Sequence, residues 1–277
     1  MVIQHNISAV NAYRNLNNNT TALNKNLEKL SSGYRINRAA DDAAGLAISE
    51  SMRSKIAGLD QSVNNANDGI GLIQTTEGAL SETHSMLQRL TTLATQAANG
   101  TYNTVARSNI QSEVDELAQE ISRIATSTSY NGIKMLTGSV SAISGDATHV
   151  KLQIGPTSKE TLTISASKMT ASALGVSGLK MTDVTLANSA ITKISNAINL
   201  VSKYRATLGA KQNRLEHTIN NLKVTSENVT SAESRIRDTD MASEMAAYTK
   251  NNVLVQAATS MLAQANQSGS SVLSLLQ

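Results

Sequence analysis

The sequence predicts a mainly α-helical protein: a long antiparallel helical bundle or coiled coil with a small β-hairpin, and with its N- and C-terminal helices paired. Three observations support this fold class. Only 2% of the residues are aromatic, and all six are Tyr, so aliphatic side chains must build a thin, elongated core. Apolar residues recur at heptad spacing over long stretches. Both ends of the chain are amphipathic and poor in charge, which is typical of helices that pack against protein.

The first predicted helix covers residues 2–31, where Arg14 is the only full charge before Lys25. Gly33 follows it and can adopt the left-handed conformation that ends many helices. Residues 34–41 are predicted to form a linker, with Asp41 and Asp42 as the N-cap and first-turn acids of the next helix. The apolar residues of the first helix are placed on one face: Ile3, Ile7, Val10, Leu16, Leu23, Leu27 and Leu30.

Three long helices and a hairpin are predicted in the middle of the chain. Residues 43–99 keep a heptad pattern and would form a helix roughly 80 Å long at 1.5 Å per residue. A shorter helix follows and ends at the Tyr-Asn-Gly turn of residues 130–132. Residues 133–184 are rich in Gly, Ser and Thr and alternate over 150–154 and 161–164, as a β-hairpin does. From Leu186 the heptad pattern returns in a rod of roughly 65 to 70 Å.

The last element is the neutral tail, residues 251–277, which contains no Asp, Glu, Lys, Arg or His. Exposed helices normally carry charge on their outer face, so this segment is expected to contact protein around most of its circumference. Its charge-poor counterpart at the N-terminus is the expected partner. The predicted seam of this last helix consists of Met245, Tyr248, Val255, Ala258, Leu262 and Ala265.

Composition excludes several classes of function. The 24 basic and 21 acidic residues are spread along the chain without a basic run, which argues against nucleic-acid binding. There is no Cys for a disulfide or thiolate metal site, no apolar stretch long enough to span a membrane, and no signal-peptide pattern at the N-terminus. The four His residues lack a Cys partner or acidic cluster, so we expect no enzyme activity and no cofactor.

Several long motifs are distributed over nearly the whole chain. In the N-terminal half they are LSSGYRIN at 30–37, DDAAGLAI at 41–48, NNANDGI at 64–70, QTTEGAL at 74–80 and YNG at 130–132. In the C-terminal part they are SRIRDTD at 234–240, QANQ at 264–267 and VLSLL at 272–276. These motifs resemble those of bacterial flagellins, and the resemblance covers nearly the whole chain.

This resemblance implies a homopolymeric subunit of the extracellular flagellar filament, exported unfolded through the flagellar type III pathway and assembled under a filament cap with help from an export chaperone. Residues 1–42 and 235–277 would form the inner tube of paired terminal helices. Residues 43–234 would form the rod domain, with the hairpin region at about 133–184 and no sizeable outer domain. The hook-filament junction protein, a hook-associated protein with similar ends, is the alternative.

Polymerisation is assigned to the charge-poor ends. Ordering these segments costs backbone entropy that one partner helix barely offsets, so they are expected to order fully only when neighbouring subunits add contacts. The assigned residues are Ile3, Ile7, Val10, Leu27, Leu30, Met245, Val255, Leu262, Val272, Leu273, Leu275 and Leu276.

The resemblance also implies a site for the vertebrate Toll-like receptor that senses flagellin. Arg89 would be its anchor through charge-assisted hydrogen bonds, and Leu93 would fill an apolar contact. Many receptor-active relatives carry Arg-Glu directly before that leucine, whereas this chain carries Thr91-Thr92. The full predicted set is Gln88, Arg89, Leu93, Gln96, Ile110 and Glu113.

Overall fold

The computed structural model describes residues 6–140 and 148–274. It confirms the predicted fold class: five helices and one two-stranded antiparallel sheet. The described residues divide into two compact units, one within residues 1–56 and 227–277 and the other within 57–226. The elements are α1 (Ile7–Ser32), α2 (Ala43–Ala98), α3 (Thr104–Ser127), β1 (His149–Gln153), β2 (Thr161–Ser165), α4 (Val184–Arg237) and α5 (Met241–Ser274).

In the first unit, α1 and α5 pack as an antiparallel pair, as the two charge-poor ends predicted. The Asn6 side chain caps α1 by accepting a hydrogen bond from the Ala9 amide at 3.1 Å, and its own amide donates to the Ala265 carbonyl at 2.8 Å. At the other end of the pair, Lys29 lies 3.9 Å from Glu244. Helix α1 ends at Gly33, whose φ of 75° is the left-handed conformation expected there.

The linker after α1 is held to the break between α4 and α5. The Arg35 amide donates to the Arg237 carbonyl at 2.7 Å, and the Thr239 amide donates to the Gly33 carbonyl at 3.0 Å. The guanidinium of Arg237 lies 4.5 Å from the centre of the Tyr34 ring and 2.9 Å from Glu50. These contacts hold the chain at residues 238–240, between the end of α4 and the start of α5, where the sequence analysis placed no helix end.

The two linker acids have different roles. Asp42 is the N-cap of α2, because its carboxylate accepts from the Gly45 amide at 2.9 Å. Asp41 instead accepts from the Arg38 amide at 3.1 Å and from Lys25 at 3.3 Å. These two hydrogen bonds, the one from the Arg38 backbone first, lower the pKa of Asp41 below its usual value.

The second unit is a three-helix core whose long helices keep heptad registers. Arg205 of α4 bonds Glu77 of α2 at 3.3 Å, and Arg89 of α2 bonds Glu113 of α3 at 2.7 Å. One heptad row of α2 is almost fully buried: Leu59, Ala66, Ile73, Leu80, Leu87 and Ala94. The matching row of α4 is also buried: Ala187, Ile194, Val201, Leu208, Leu215 and Leu222.

The second core row of α2 contains hydroxyl side chains, which the search for apolar periodicity missed. Ser62, Thr76 and Thr83 are no more than 3% exposed. Each donates its hydroxyl to a carbonyl four residues earlier, at 2.7 to 2.9 Å. The buried oxygen is therefore satisfied within the helix, so it can occupy the core without an unpaired polar group.

The hairpin and the loop after it cover one part of this core. Strands β1 and β2 pair in the register Val150 to Ile164 and Leu152 to Leu162, and both residues of β2 are buried. Gln111 of α3 holds the loop, donating to the Leu179 carbonyl and accepting from the Met181 amide at 2.7 Å each. Six loop residues that the sequence pattern did not mark are core residues: Met169, Ala171, Leu174, Val176, Leu179 and Met181.

Candidate assembly and recognition surfaces

The seam of α1 differs from the single apolar face that its sequence predicted. Ile7 and Val10 are 68% and 65% exposed, and Leu27 is 46% exposed. The half-buried or buried residues of α1 include a series with three-and-four spacing: Ala9, Ala12, Leu16, Asn19, Leu23, Asn26 and Leu30. The prediction is confirmed at Leu16, Leu23 and Leu30 and is wrong at Ile7, Val10 and Leu27. Small residues in the observed seam let the helix axes approach closely.

The seam of α5 is confirmed at most of its positions. Tyr248, Val255, Ala258, Leu262 and Ala265 are all half-buried at the expected spacing. Met245 was placed in this seam wrongly, because its side chain is 49% exposed. Glu244, one residue earlier, occupies the inward position and faces Lys29.

Large apolar side chains therefore lie outside the seam on both helices. A monomer rarely leaves so many large apolar side chains in water on one helix pair, and such surfaces mark sites of protein contact. We call this set the outer apolar surface: Ile7, Val10, Tyr13 and Leu27 of α1, and Met241, Met245, Val253, Leu254 and Met261 of α5.

The other predicted polymerisation residues fall into two groups. Leu30, Val255 and Leu262 are half-buried in the seam, so they join α1 to α5. Ile3, Leu275 and Leu276 lie outside the described residues, and Val272 and Leu273 belong to α5 without described side chains.

One polar residue of the seam was not marked by the sequence reasoning. Asn26 is 9% exposed, and its amide nitrogen makes no hydrogen bond within the described residues. A single buried amide in a helix seam favours the register in which it is tolerated and disfavours shifted ones. Its signal in the sequence was a polar residue at a heptad position between Leu23 and Leu30.

The structure pairs two of the six predicted receptor residues, Arg89 and Glu113, and exposes Gln88 and Gln96 on α2. Arg89 donates to Glu113 at 2.7 Å with its side chain 56% exposed, and this hydrogen bond raises the pKa of Arg89 above its usual value. Gln96 donates to the Tyr102 hydroxyl at 2.8 Å, and Gln88 lies 3.1 Å from the His84 ring. Tyr102 was not predicted, since only the folded turn brings it to α2.

Leu93 and Ile110 do not belong to this surface. They are 2% and 8% exposed and lie in the core of the unit, so the expectation that Leu93 fills an apolar contact with a receptor does not fit its position. The heptad pattern explains the error: each of the two side chains lies on the inward face of its own helix.

Neither a metal-binding cluster nor a membrane-spanning helix is found among residues 6–140 and 148–274. Within those residues, no group of three or more His, Cys, Asp or Glu side chains is arranged to hold a metal ion. No helix there has the length and hydropathy needed to cross a membrane.

The sequence matches two family models. Residues 3–141 match the bacterial flagellin N-terminal helical region, and residues 191–276 match the bacterial flagellin C-terminal helical region. Together these matches cover well over half of the chain.

Full-length relatives are similar at high identity. The chain is 49% identical over 286 residues to the flagellar filament 33 kDa core protein of Treponema phagedenis. It is also 49% identical over 279 residues to the flagellin of Halalkalibacterium halodurans. In both comparisons 100% of each chain is covered.

A solved structure from Vibrio parahaemolyticus, assigned as a flagellar hook-associated protein, is similar with a TM-score of 0.58 at 12% identity. The match covers 72% of this chain and all of that one, and at this identity it shows a shared fold alone. The sequence analysis left two predictions, a filament subunit and a hook-filament junction protein. The relatives at 49% identity favour the filament subunit. The chain therefore belongs to the bacterial flagellin family, as a structural, non-enzymatic subunit of the flagellar filament.

Proposed function

We propose that the outer apolar surface of the α1 and α5 pair makes the contacts between subunits in the filament. The observation that carries this proposal is that nine large apolar side chains of these two helices are at least 39% exposed. Burying one such side chain contributes about 1.5 to 3 kcal/mol, so neighbouring subunits would add the stability that the isolated pair lacks. On this proposal residues 1–42 and 235–277 form the inner tube, and 43–234 form the rod domain.

Replacing Val10 by Asp is expected to impair polymerisation. The side chain is 65% exposed in the single chain, so the α1 and α5 seam should tolerate the change, whereas a neighbouring subunit would have to bury a carboxylate. We expect the critical concentration to rise about tenfold or more, equivalent to at least about 1.4 kcal/mol. Sedimentation after addition of filament seeds measures it.

The matched control for Val10→Asp is Asn15→Asp, which adds the same charge at an exposed polar position of α1. Its critical concentration should stay within about twofold of the unaltered protein, since surface changes away from contacts usually cost under 0.5 kcal/mol. Equal defects in the two variants would show that charge, not the apolar surface, governs assembly.

We also propose export through the flagellar type III pathway, an export chaperone that covers the tail before assembly, and a filament cap under which subunits are added. Membership of the flagellin family supports these partners, and the exposed side chains of α5 supply a surface that a chaperone would cover. A chain shortened before Asn251 should therefore lose chaperone binding in a titration with the purified chaperone.

For the vertebrate Toll-like receptor we propose a contact centred on Arg89 and Glu113, with Gln88 and Gln96 beside them. The support is their grouping on one exposed surface, where a guanidinium with remaining N–H donors lies 56% exposed. Leu93 and Ile110 would act from the core by holding the two helices in place.

Arg89→Ala is expected to weaken receptor binding by monomer. Losing a charge-assisted hydrogen bond at the centre of an interface costs about 2 kcal/mol or more, or about thirtyfold in Kd. Surface plasmon resonance with the receptor ectodomain measures it. Arg123→Ala, which removes a similarly exposed arginine of α3 paired with Glu120, is the control; a Kd for Arg89→Ala equal to that of the control would refute the assignment.

A further inference from the structure

A cavity of about 350 Å³ lies within the 57–226 unit, between α2, the turn after α3 and β1. Four of its seven lining residues are aliphatic: Leu72, Ile133, Val150 and Leu152. Three polar residues complete the lining: Asp68, Tyr130 and Asn131. This volume is at the small end of ligand pockets and suits one long side chain.

Two glycines of α2 allow the other walls of the cavity to lie close to this helix. A Cβ at Gly69 would overlap the Leu152 side chain, and one at Gly71 would lie 3.2 Å from the Tyr130 hydroxyl. The two glycines therefore let β1 and the Tyr130 turn lie directly on the helix. Asn131 and Gly132 hold that turn with φ values of 48° and 80°, a conformation that only such residues adopt readily.

The chemistry of the cavity suits a cation on an aliphatic stem. Asp68 is exposed, and its carboxylate makes no hydrogen bond or ion pair among the residues that the structure describes. A lysine side chain would place its ammonium at this carboxylate and its methylenes along Leu72, Val150 and Leu152.

Within the 57–226 unit, acidic residues predominate on α2 and α3 and basic residues predominate on α4, so α4 carries lysines that could pair with Asp68. Between residues 57 and 127, α2 and α3 carry eight Asp or Glu and three Lys or Arg, a net charge of −5. Between residues 184 and 226, α4 carries six Lys or Arg and one Glu, a net charge of +5. Lys193, Lys203 and Lys223 are exposed and make no ion pair within the described parts of the chain.

We propose that the cavity receives a lysine side chain from α4 of a second copy of this chain, with its ammonium paired to Asp68. Complementary charges on different helices of one unit favour a heterologous contact, in which one surface of a copy meets another surface of the next. The proposal rests on polymerisation into the filament and adds a lateral contact of the 57–226 unit to those of the terminal helices.

Zero-length carbodiimide cross-linking tests the contact directly. The reagent joins a carboxylate and an amine that touch, forming an amide with net loss of water. Filaments polymerised from equal amounts of ¹⁴N- and ¹⁵N-labelled protein should yield peptides that join Asp68 to Lys193, Lys203 or Lys223 with one light and one heavy partner. Filaments without such mixed-label peptides would overturn the proposal, as would links from Asp68 only to lysines outside α4.

Charge reversal gives a second test. Asp68→Lys should raise the critical concentration at least tenfold, while Glu82→Lys, the same change at another exposed position of α2 outside the cavity, should raise it less. Adding Lys→Glu at the cross-linked position to Asp68→Lys should restore assembly. Circular dichroism melting checks that each variant folds, and Asp68→Asn serves if the lysine variant does not.

Filament assembly and the Asp68 contact can be refuted separately. If the unaltered protein does not extend filament seeds, its assignment as a filament subunit fails. If it does, and Asp68→Asn or Asp68→Lys polymerises like Glu82→Lys, only the lysine contact in the cavity is refuted.

Discussion

Removing the neutral tail, residues 251–277, should abolish polymerisation while leaving the 57–226 unit folded. The deletion removes the inward residues Val255, Ala258 and Leu262, so α1 loses much of its partner. It also removes Val253, Leu254 and Met261 from the outer apolar surface. The expected result is no sedimentable polymer at any tested concentration, with the melting temperature of the remaining core changed by only about 2 °C or less.

A full-length control separates the two losses caused by this deletion. Val253→Thr, Leu254→Gln and Met261→Gln together keep the seam but make three exposed positions polar, so an intermediate defect is expected. Amide exchange adds a further check, because α1 and α5 should exchange quickly in monomer and slowly in filament. Slow amide exchange of both helices in dilute monomer would contradict the proposal that α1 and α5 become ordered on polymerisation. Growth of the shortened chain on filament seeds would contradict the proposal that residues 251–277 are required for polymerisation.

Leu87→Ala should strongly destabilise the 57–226 unit. Leu87 is completely buried, in the middle of the heptad row of α2 that faces the other two helices. Removing a core leucine side chain costs its transfer free energy and leaves a cavity, so the free energy of unfolding should fall by about 2 to 5 kcal/mol. Urea denaturation followed by circular dichroism measures this change.

Gln88→Ala, at the exposed position beside it, is the control for Leu87→Ala and should alter the free energy of unfolding by under about 0.5 kcal/mol. Similar losses in both variants would mean that helix propensity rather than core packing determines stability. The helix would then be stabilised locally, and the heptad row would not form the core described.

The short hydrogen bond between Arg89 and Glu113 is not expected to contribute much to the stability of the fold. The bond is short, at 2.7 Å, but both side chains are largely exposed. Surface ion pairs of this kind contribute little to folding because water screens them and both side chains lose freedom. The pair is better understood as holding Arg89 in position above Glu113, where a partner protein can reach it.

The sequence by itself determined the hairpin, the end of α1, both ends of α2 and the start of α4 to within a few residues, but it did not show the break between α4 and α5 at residues 238–240. These features follow from local signals: heptad spacing, Gly33 after α1, the Tyr130 turn, and the alternation over residues 150–154 and 161–164. Each depends on neighbours within a few positions, so each can be recognised without knowing the fold.

Tertiary structure alone decided which of two apolar stripes became the seam of α1. Periodicity locates an apolar face, but Ala9 and Ala12 rather than Ile7 and Val10 face α5, because the closeness of approach depends on both helices. The same reason placed Leu93 in the core instead of on the proposed receptor surface, and it gathered Asp68, Tyr130 and Leu152 around one cavity. Which residues face a partner helix, the core or a cavity depends on contacts between residues that are far apart in the chain. A local sequence pattern does not contain this information.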